Sequence, residues 1–194
     1  LNSLSQITLK TMMPGVPDFY QGTELWDFSL VDPDNRRPVD FAERARLLGT
    51  LEEPDWDRLT QDWPSGQLKL AWTRHLLKLR TELADVVTGG EYEPLEVSGP
   101  HRDHFIAFAR RRGREAAITV VTRWLAPLTD GGRHWPGSEN FDAALNVAGY
   151  AVEGFADADA MQLRLSDLLT HLPVAALKAR FNGAAKQARK RRRV

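Results

Sequence analysis

The chain has 194 residues, of which 42% are hydrophobic; 26 Lys and Arg balance 26 Asp and Glu, and cysteine is absent. This length fits one domain, or one domain with a piece of another, and the composition excludes wholesale disorder and collagen-like repeats. No apolar run approaches the ~18 residues that span a bilayer. The lack of cysteine excludes a disulfide framework, a thiol nucleophile and Cys-ligated zinc. We expect a cytoplasmic protein.

The net charge of zero hides an uneven distribution. Six basic residues and no acidic one lie in the last nine residues, KQARKRRRV, so 20 basic residues face 26 acidic ones in the rest of the chain. Because the rest of the chain is mildly acidic, it is a poor nucleic-acid binder, and we expect no nucleic-acid or membrane partner. The tail from about residue 182 is expected to be disordered, although a basic tail of this kind also suits an anionic partner. The chain begins with Leu, without a signal-peptide pattern, and we expect it to be part of a longer protein.

The first half of the chain is predicted to be mainly helical. Residues 1–13 form the end of a helix that Pro14 stops, GVPDFYQGTE (15–24) is predicted as a short buried strand running into a loop, and residues 24–40 lack any period. A short amphipathic helix follows at 41–51. Ser65 is then the expected N-cap of a longer helix, which ends before Gly89. The apolar residues of that helix recur at spacings of 3 and 4, namely Leu68, Trp72, Leu76, Leu79 and Leu83.

From residue 91 the apolar period changes from 3.6 to 2, which is typical of strands. YEPLEVS, HFIAFAR and AAITVVT are predicted strands, and a turn around Gly113 joins the second to the third. YAVEGF, MQLRL and PVAAL are three further candidates, and residues 125–140 are predicted as a loop. Strands with intervening turns favour an antiparallel sandwich.

The densest group of polar and aromatic side chains lies in residues 18–40. Six carboxylates, two arginines and two amides are interleaved there with four aromatic residues. Sugars are bound by this mixture, because aromatic rings pack on the apolar face of a pyranose and polar groups take the hydroxyls. Glycoside chemistry also needs two carboxylates, about 5 Å apart in retaining enzymes. The sequence alone leaves a structural loop, a binding loop and a catalytic pair open.

The stretch PGVPDFYQGTELWDFSLVDPDNRRPVDF (14–41) resembles the segment after the last barrel strand in the maltooligosyl trehalose synthase family of the α-amylase superfamily. The superfamily pattern G-x-P-x-x-Y-x-G-x-E is met by Gly15, Pro17, Tyr20, Gly22 and Glu24. The extension ELWD…LVDPDNRRPVD narrows the resemblance to this family. LRTELADVVTGGEYEPL and LSDLLTHLPVAAL resemble the last barrel helix and the closing strand, so the resemblance extends to about residue 177.

The resemblance implies an α+β fragment: the last βα unit of a (β/α)8 barrel followed by a C-terminal antiparallel β-sandwich. The implied domains are residues 1–88, the end of the catalytic barrel, residues 89–181, the β domain, and residues 182–194, the basic tail. The implied partner is the N-terminal barrel of the same enzyme. Without that barrel, residues 1–24 are expected to become helix or coil, or to pair with another copy, because an unpaired strand edge must be covered.

The resemblance also implies an activity for the parent protein. The family rearranges the reducing-end α-1,4 linkage of a maltooligosaccharide, or of a glycogen-derived glucan, into an α,α-1,1 linkage, without a cofactor or metal. Its three catalytic carboxylates follow earlier barrel strands, so no residue here is expected to be catalytic and the chain alone is expected to be inactive. The loops at the C-terminal ends of barrel strands form the site in such folds. The expected sugar-pocket residues are Tyr20, Gln21, Glu24, Asp34, Asn35, Arg36 and Arg37.

Each of these residues also has a purely structural interpretation. Glu24 pairing with Arg36 or Arg37 would fix the loop, Tyr20 would fill the barrel mouth, and Trp26 would be buried with its N–H bonded. The remaining tryptophans of the helical half are expected in the core. The spacing of His101 and His104 favours a surface turn over a metal site.

Three functions remain open at this stage. The chain is either the C-terminal part of the synthase, a non-catalytic carbohydrate-binding β domain, or a basic-tailed interaction protein. The barrel-strand motif at 14–41 favours the first, because such a motif is not a sandwich feature.

Overall fold

The computed structural model describes residues 1–155 and 161–183. Its first half is helical: α1 covers Asn2–Met12, α2 Phe41–Gly49, α3 Trp56–Gln61, α4 Gln67–Glu82 and α5 Ala84–Gly89. Of these helices, α3 lies in a stretch for which the sequence predicts a connection. The five residues predicted to share one face of the long helix are all buried. No helix among the described residues combines the length and the apolarity needed to cross a membrane.

The second half contains two antiparallel sheets. The strands are β1 (Glu91–Pro94), β2 (Val97–Ser98), β3 (Phe105–Arg112), β4 (Glu115–Thr122), β5 (Ala144–Asn146), β6 (Tyr150–Val152), β7 (Gln162–Arg164) and β8 (Val174–Phe181), with a short helix α6 at Leu165–Leu168. The larger sheet has the order β1-β3-β4-β8-β6 and the smaller β2-β5-β7. The turn between β3 and β4 contains Gly113 with φ 63°, as the hairpin prediction requires.

The larger sheet is buried on both faces, because its strands contribute to two hydrophobic cores. Phe108, Val121 and Ala176 pack with α1, α4 and α5 in the first core. Alternate residues of the same strands, such as Ala109 and Ile118, pack in the second core with residues of the smaller sheet. The helices and the smaller sheet therefore lie on opposite faces of one central sheet.

Polar contacts fix α1 to this sheet and to α4. Ser5 Oγ donates to Thr122 O (2.8 Å), and Trp72 Nε1 donates to Thr8 Oγ1 (2.7 Å). At the C-terminal end of α1, Arg80 Nη1 donates to Thr11 O (2.5 Å) and Arg110 Nη1 donates to Met12 O (3.3 Å). Guanidinium groups at a helix C-terminus meet unpaired carbonyls and the negative end of the helix dipole, so α1 ends at a fixed point.

Some sequence predictions are corrected and others stay open. GVPDFYQGTE is irregular and not a buried strand, and Val16 is 95% exposed. Hydrogen-bond partners for a strand are lacking there among the described residues. The N-cap of α4 is Gly66 and not Ser65. Strand β5 was not predicted.

The α+β class with antiparallel sheets is confirmed, whereas the barrel unit, the sandwich and the domain boundaries stay predictions. The predicted disordered tail lies mostly outside the described residues.

Candidate functional site

The motif-bearing segment, residues 14–40, connects α1 to α2 without a helix or strand. It begins where the arginines hold the end of α1. It ends at the N-cap of α2, where the Asp40 carboxylate accepts a hydrogen bond from the Glu43 amide (2.9 Å). Both ends of the segment are therefore fixed by the helices that flank it.

The middle of the segment is joined to α2 through Glu24. Arg44 Nε donates to Glu24 Oε2 (2.8 Å), and Arg44 Nη2 donates to Gly22 O (2.8 Å). The two charged side chains are 18% and 32% exposed, so water screens the pair only in part. One arginine thus binds both a side chain and a backbone carbonyl of the motif.

The next residues of the segment are joined to α4. Lys69 Nζ donates to Leu25 O (3.0 Å), and burial lowers the pKa of this lysine. Trp26 Nε1 donates to Trp63 O (2.6 Å), and the two indoles meet edge to face with their ring centres 6.5 Å apart. Gly66 has φ 80°, and a Cβ at this position would lie 3.1 Å from Trp26 N. The absence of a side chain at Gly66 therefore permits the close approach of the motif.

The distal part of the segment, residues 28–37, is held by local ion pairs. Arg36 Nε lies 2.5 Å from Asp32 Oδ1, and Arg37 is paired with Asp34. The Leu30 amide also donates to Asp34 Oδ2 (2.8 Å). The Leu30 amide and then Arg37 lower the pKa of the Asp34 carboxyl. These exposed pairs shape the loop but contribute little stability.

The seven predicted pocket residues therefore fall into two groups. Glu24 is partly buried and paired with Arg44, and Asp34 is partly exposed. The other five are exposed, with Tyr20 at 69%. The predicted alternative, that Glu24 pairs with Arg36 or Arg37, is wrong. Sequence reasoning missed Arg44 and Lys69, because their partners lie 20 and 44 positions away and no local pattern marks them.

Large apolar side chains of the segment face solvent. Residues exposed by more than two thirds are Val16, Tyr20, Phe28, Leu30 and Val31. Contiguous exposure of this kind is typical of a surface that another polypeptide or a ligand covers.

The other candidate positions have structural contacts. Trp72 is buried as predicted and stacks on His75 with ring centres 4.9 Å apart, and Trp56 meets both rings edge-on. His101 and His104 flank a 3-10 turn on the surface. Among the described residues, no group of three or more His, Asp or Glu is placed to hold a metal ion.

Comparisons with known proteins identify relatives of this chain, although no protein-family model matches it. A curated protein of Mycobacterium tuberculosis, named "Putative maltooligosyl trehalose synthase", is 40% identical over 131 residues, which are 68% of this chain and 15% of that protein. The solved maltooligosyltrehalose synthase from Arthrobacter ramosus superposes with a TM-score of 0.67 at 33% identity, covering 92% of this chain and 22% of that one. Another crystal structure of a maltooligosyl trehalose synthase gives 0.59 at 26% identity, over 91% and 21%.

These similarities first define a class: the chain is related to trehalose-forming enzymes. Within this class, the matched region is that of the maltooligosyl trehalose synthases, and the chain corresponds to a part of such a protein. It spans about 15% of the length of the curated relatives it matches.

Proposed function

We propose that the chain is the C-terminal part of a maltooligosyl trehalose synthase, a (1→4)-α-D-glucan 1-α-D-glucosylmutase that acts in the cytoplasm. This proposal rests on the 40% identity over 131 residues to the Mycobacterium tuberculosis protein. The matched residues are only 15% of the length of that protein. The parent would be an isomerase that transfers a glucosyl group within one molecule. Its substrate would be a maltooligosaccharide or a glycogen-derived glucan, and its product a maltooligosyl trehalose.

The reaction would follow the two-step route of retaining glycosidases. A carboxylate attacks the anomeric carbon of the penultimate unit while a carboxylic acid protonates the leaving oxygen. The released glucose then turns, and its own anomeric hydroxyl attacks the same carbon, displaces the carboxylate and gives its proton to the conjugate base of the catalytic acid. Water must be excluded during this step, which requires a closed pocket rich in hydrogen-bonding groups. The catalytic carboxylates would belong to the remainder of the parent, so we expect this chain alone to be inactive.

The motif-bearing segment would form one part of the pocket rim. Arg44 and Lys69 hold the middle of the segment in place, which supports its role as a fixed part of the rim. Its distal part carries Asp34, Asn35, Arg36 and Arg37 on the surface, where amide, carboxylate and guanidinium groups suit sugar hydroxyls. The exposed apolar side chains of Val16, Tyr20, Leu30 and Val31 would be covered by the N-terminal barrel, which is the protein partner we propose.

Reconstitution of the parent tests this proposal. The purified chain is incubated with maltopentaose, alone and after co-expression with the remaining part of a full-length relative, and the non-reducing product is assayed. We expect product only from the reconstituted protein. Turnover by the chain alone at the rate of a full-length enzyme would refute its dependence on the missing carboxylates. The absence of product after verified complex formation would refute the assignment of function.

A second candidate is a non-catalytic carbohydrate-binding β domain. The observation favouring it is that the two sheets share a hydrophobic core to which the helices α1–α5 contribute no buried residue among those described. Glucan affinity separates the two candidates. Millimolar affinity or none fits a severed pocket rim, whereas tight binding of maltooligosaccharide by the isolated chain fits a binding module.

A further inference from the structure

An open groove of about 590 Å³ lies between α1, the motif-bearing segment and the end of β4. Its walls include Trp26 and Phe28 from the motif-bearing segment, Trp63 before α4, and Trp124 after β4. Ligand pockets in proteins have volumes of ~300–1,000 Å³ and combine apolar walls with a few polar groups. The groove therefore has the size and composition of a binding site, and we name it the tryptophan groove.

Trp124 is the most unusual residue of the tryptophan groove. Its φ of 55° lies in the left-handed region, which is rare for a bulky residue, yet its side chain is 63% exposed. The strain is held by neighbours, because the Arg123 amide donates to His104 O (2.8 Å) and Arg123 Nε donates to Asp103 O (2.9 Å). Exposed residues kept in strained conformations are concentrated at functional sites, since packing alone gives no reason to maintain them.

The ring of Trp124 is also fixed in place. The Arg123 guanidinium carbon lies 3.9 Å from its ring centre, a distance at which a cation is attracted to the face of an indole. One face is thus occupied by the guanidinium, and the high exposure of the side chain leaves the rest of the ring available as a flat apolar platform.

Most polar side chains of the tryptophan groove are neutral, and the charged Arg123 is already bonded to Asp103 O and stacked on Trp124. Asn2 and Gln6 are both exposed and lie four residues apart on α1, so their amides are on one side of the helix. The described lining contains Arg123 but no Asp, Glu or Lys side chain. Amides donate and accept hydrogen bonds at once, which suits hydroxyl groups better than it suits ions.

We propose that the tryptophan groove binds an α-1,4-glucan chain. The identity of the glucan rests on the proposed function, whereas the neutral, polyhydroxylated class of ligand rests on the groove itself. The pyranose rings stack on Trp124 and the other aromatic walls, and the amides of α1 take the hydroxyls. The lining holds no carboxylate, so the groove binds the chain without cleaving it. Trp26 and Phe28 belong also to the motif-bearing segment, so a bound chain leads towards the candidate pocket rim.

Titration of the 194-residue chain with maltoheptaose, followed by the six tryptophan indole N–H signals in two-dimensional NMR, tests this proposal. We expect saturable shifts of the signals of Trp124, Trp63 and Trp26 at millimolar maltoheptaose, an affinity that fits the synthase part and not the tight-binding module. The signals of Trp56 and Trp72, which do not line the groove, serve as internal references. Trp124→Ala should weaken binding about tenfold, which is the effect of losing one aromatic contact. Tyr92→Ala removes an aromatic side chain that is 44% exposed outside the groove and should leave the affinity unchanged.

Trp124→Gly separates binding from folding. Glycine adopts a φ of 55° without strain, so this variant should lose affinity without losing thermal stability. Unchanged affinity in both Trp124 variants, or no binding of maltoheptaose by the wild-type chain, would overturn the proposal. Such a failure leaves the reconstitution assay unaffected, and failed reconstitution leaves the NMR result unaffected. Glucan binding by the tryptophan groove and the proposed function are therefore tested separately.

Discussion

Replacement of Arg44 by methionine tests whether Glu24 serves to anchor the motif-bearing segment. Arg44 donates three hydrogen bonds: to Glu24 Oε2 (2.8 Å), to Gly22 O (2.8 Å) and to Asp40 O (3.0 Å). Methionine keeps much of the aliphatic packing but cannot donate. All three acceptors must then find water or remain without a partner.

The expected loss of stability follows from these contacts. Each bond to a backbone carbonyl contributes ~0.5–1.5 kcal/mol net. The ion pair adds at most ~1 kcal/mol, because its two side chains are 18% and 32% exposed and water screens the charges in part. We expect Arg44→Met to lower the free energy of unfolding by about 2 kcal/mol. For a chain of this size, this corresponds to a decrease in Tm of about 4–8 °C.

Urea denaturation measures the free energy, and limited proteolysis measures the opening of residues 28–37. Arg46→Met is the matched control, because Arg46 also lies on α2 and pairs with a glutamate, Glu43, but its side chain is 64% exposed. The control should leave stability nearly unchanged, because water screens this exposed pair. A double-mutant cycle with Glu24→Gln should give a coupling of about 1 kcal/mol. Equal effects of the two arginine replacements, together with a coupling below ~0.3 kcal/mol, would refute the anchoring role of Glu24.

Three further predictions concern the helices that carry the site. In urea denaturation, Gly66→Ala should lower the free energy of unfolding by ~1 kcal/mol more than Gly113→Ala does. Both glycines have positive φ, but only at Gly66 would the added Cβ lie 3.1 Å from Trp26 N. Equal losses in the two variants would contradict this. Leu76→Ala should lower the free energy of unfolding by ~3 kcal/mol, since Leu76 is fully buried, whereas Leu77→Ala, at an adjacent position 41% exposed, should cost less than ~0.5 kcal/mol in the same assay. Burial lowers the pKa of His75 below its ordinary 6.5, so the unfolded chain binds the proton first. The contribution of His75 to stability should be complete above pH 6.5 and fall as pH decreases towards the folded pKa. His75→Gln should flatten the pH dependence of the unfolding free energy between about pH 6.5 and 5, and an unchanged slope would exclude His75 as its source.

Periodic patterns explain what the sequence predicts well. The stripe from Leu68 to Leu83 recurs along α4, so burial of one helix face leaves a clear signal. Strands β3 and β4 are apolar over most of their length because both of their faces are buried. Strand β5 has three residues, too few for a period. The bonds from Arg44 and Lys69 to the motif-bearing segment join distant positions, and the left-handed backbone of Trp124 follows from bonds of its neighbours. No local propensity contains this information.

The absence of a strand at residues 15–24 has the same physical basis. A strand is stable only when neighbouring strands satisfy its backbone groups, and a single edge in water gains nothing from the extended conformation. Both ends of this stretch are held, its start by Arg80, which donates to Thr11 O and Gly15 O, and its end by Arg44, which donates to Gly22 O and Glu24. The fixed ends shorten the conformational search of the intervening residues, so less entropy remains to be lost when a partner orders them. Under the proposed function, the N-terminal barrel would thus select the extended form upon docking, and its burial of Val16 and the other exposed side chains would drive the ordering.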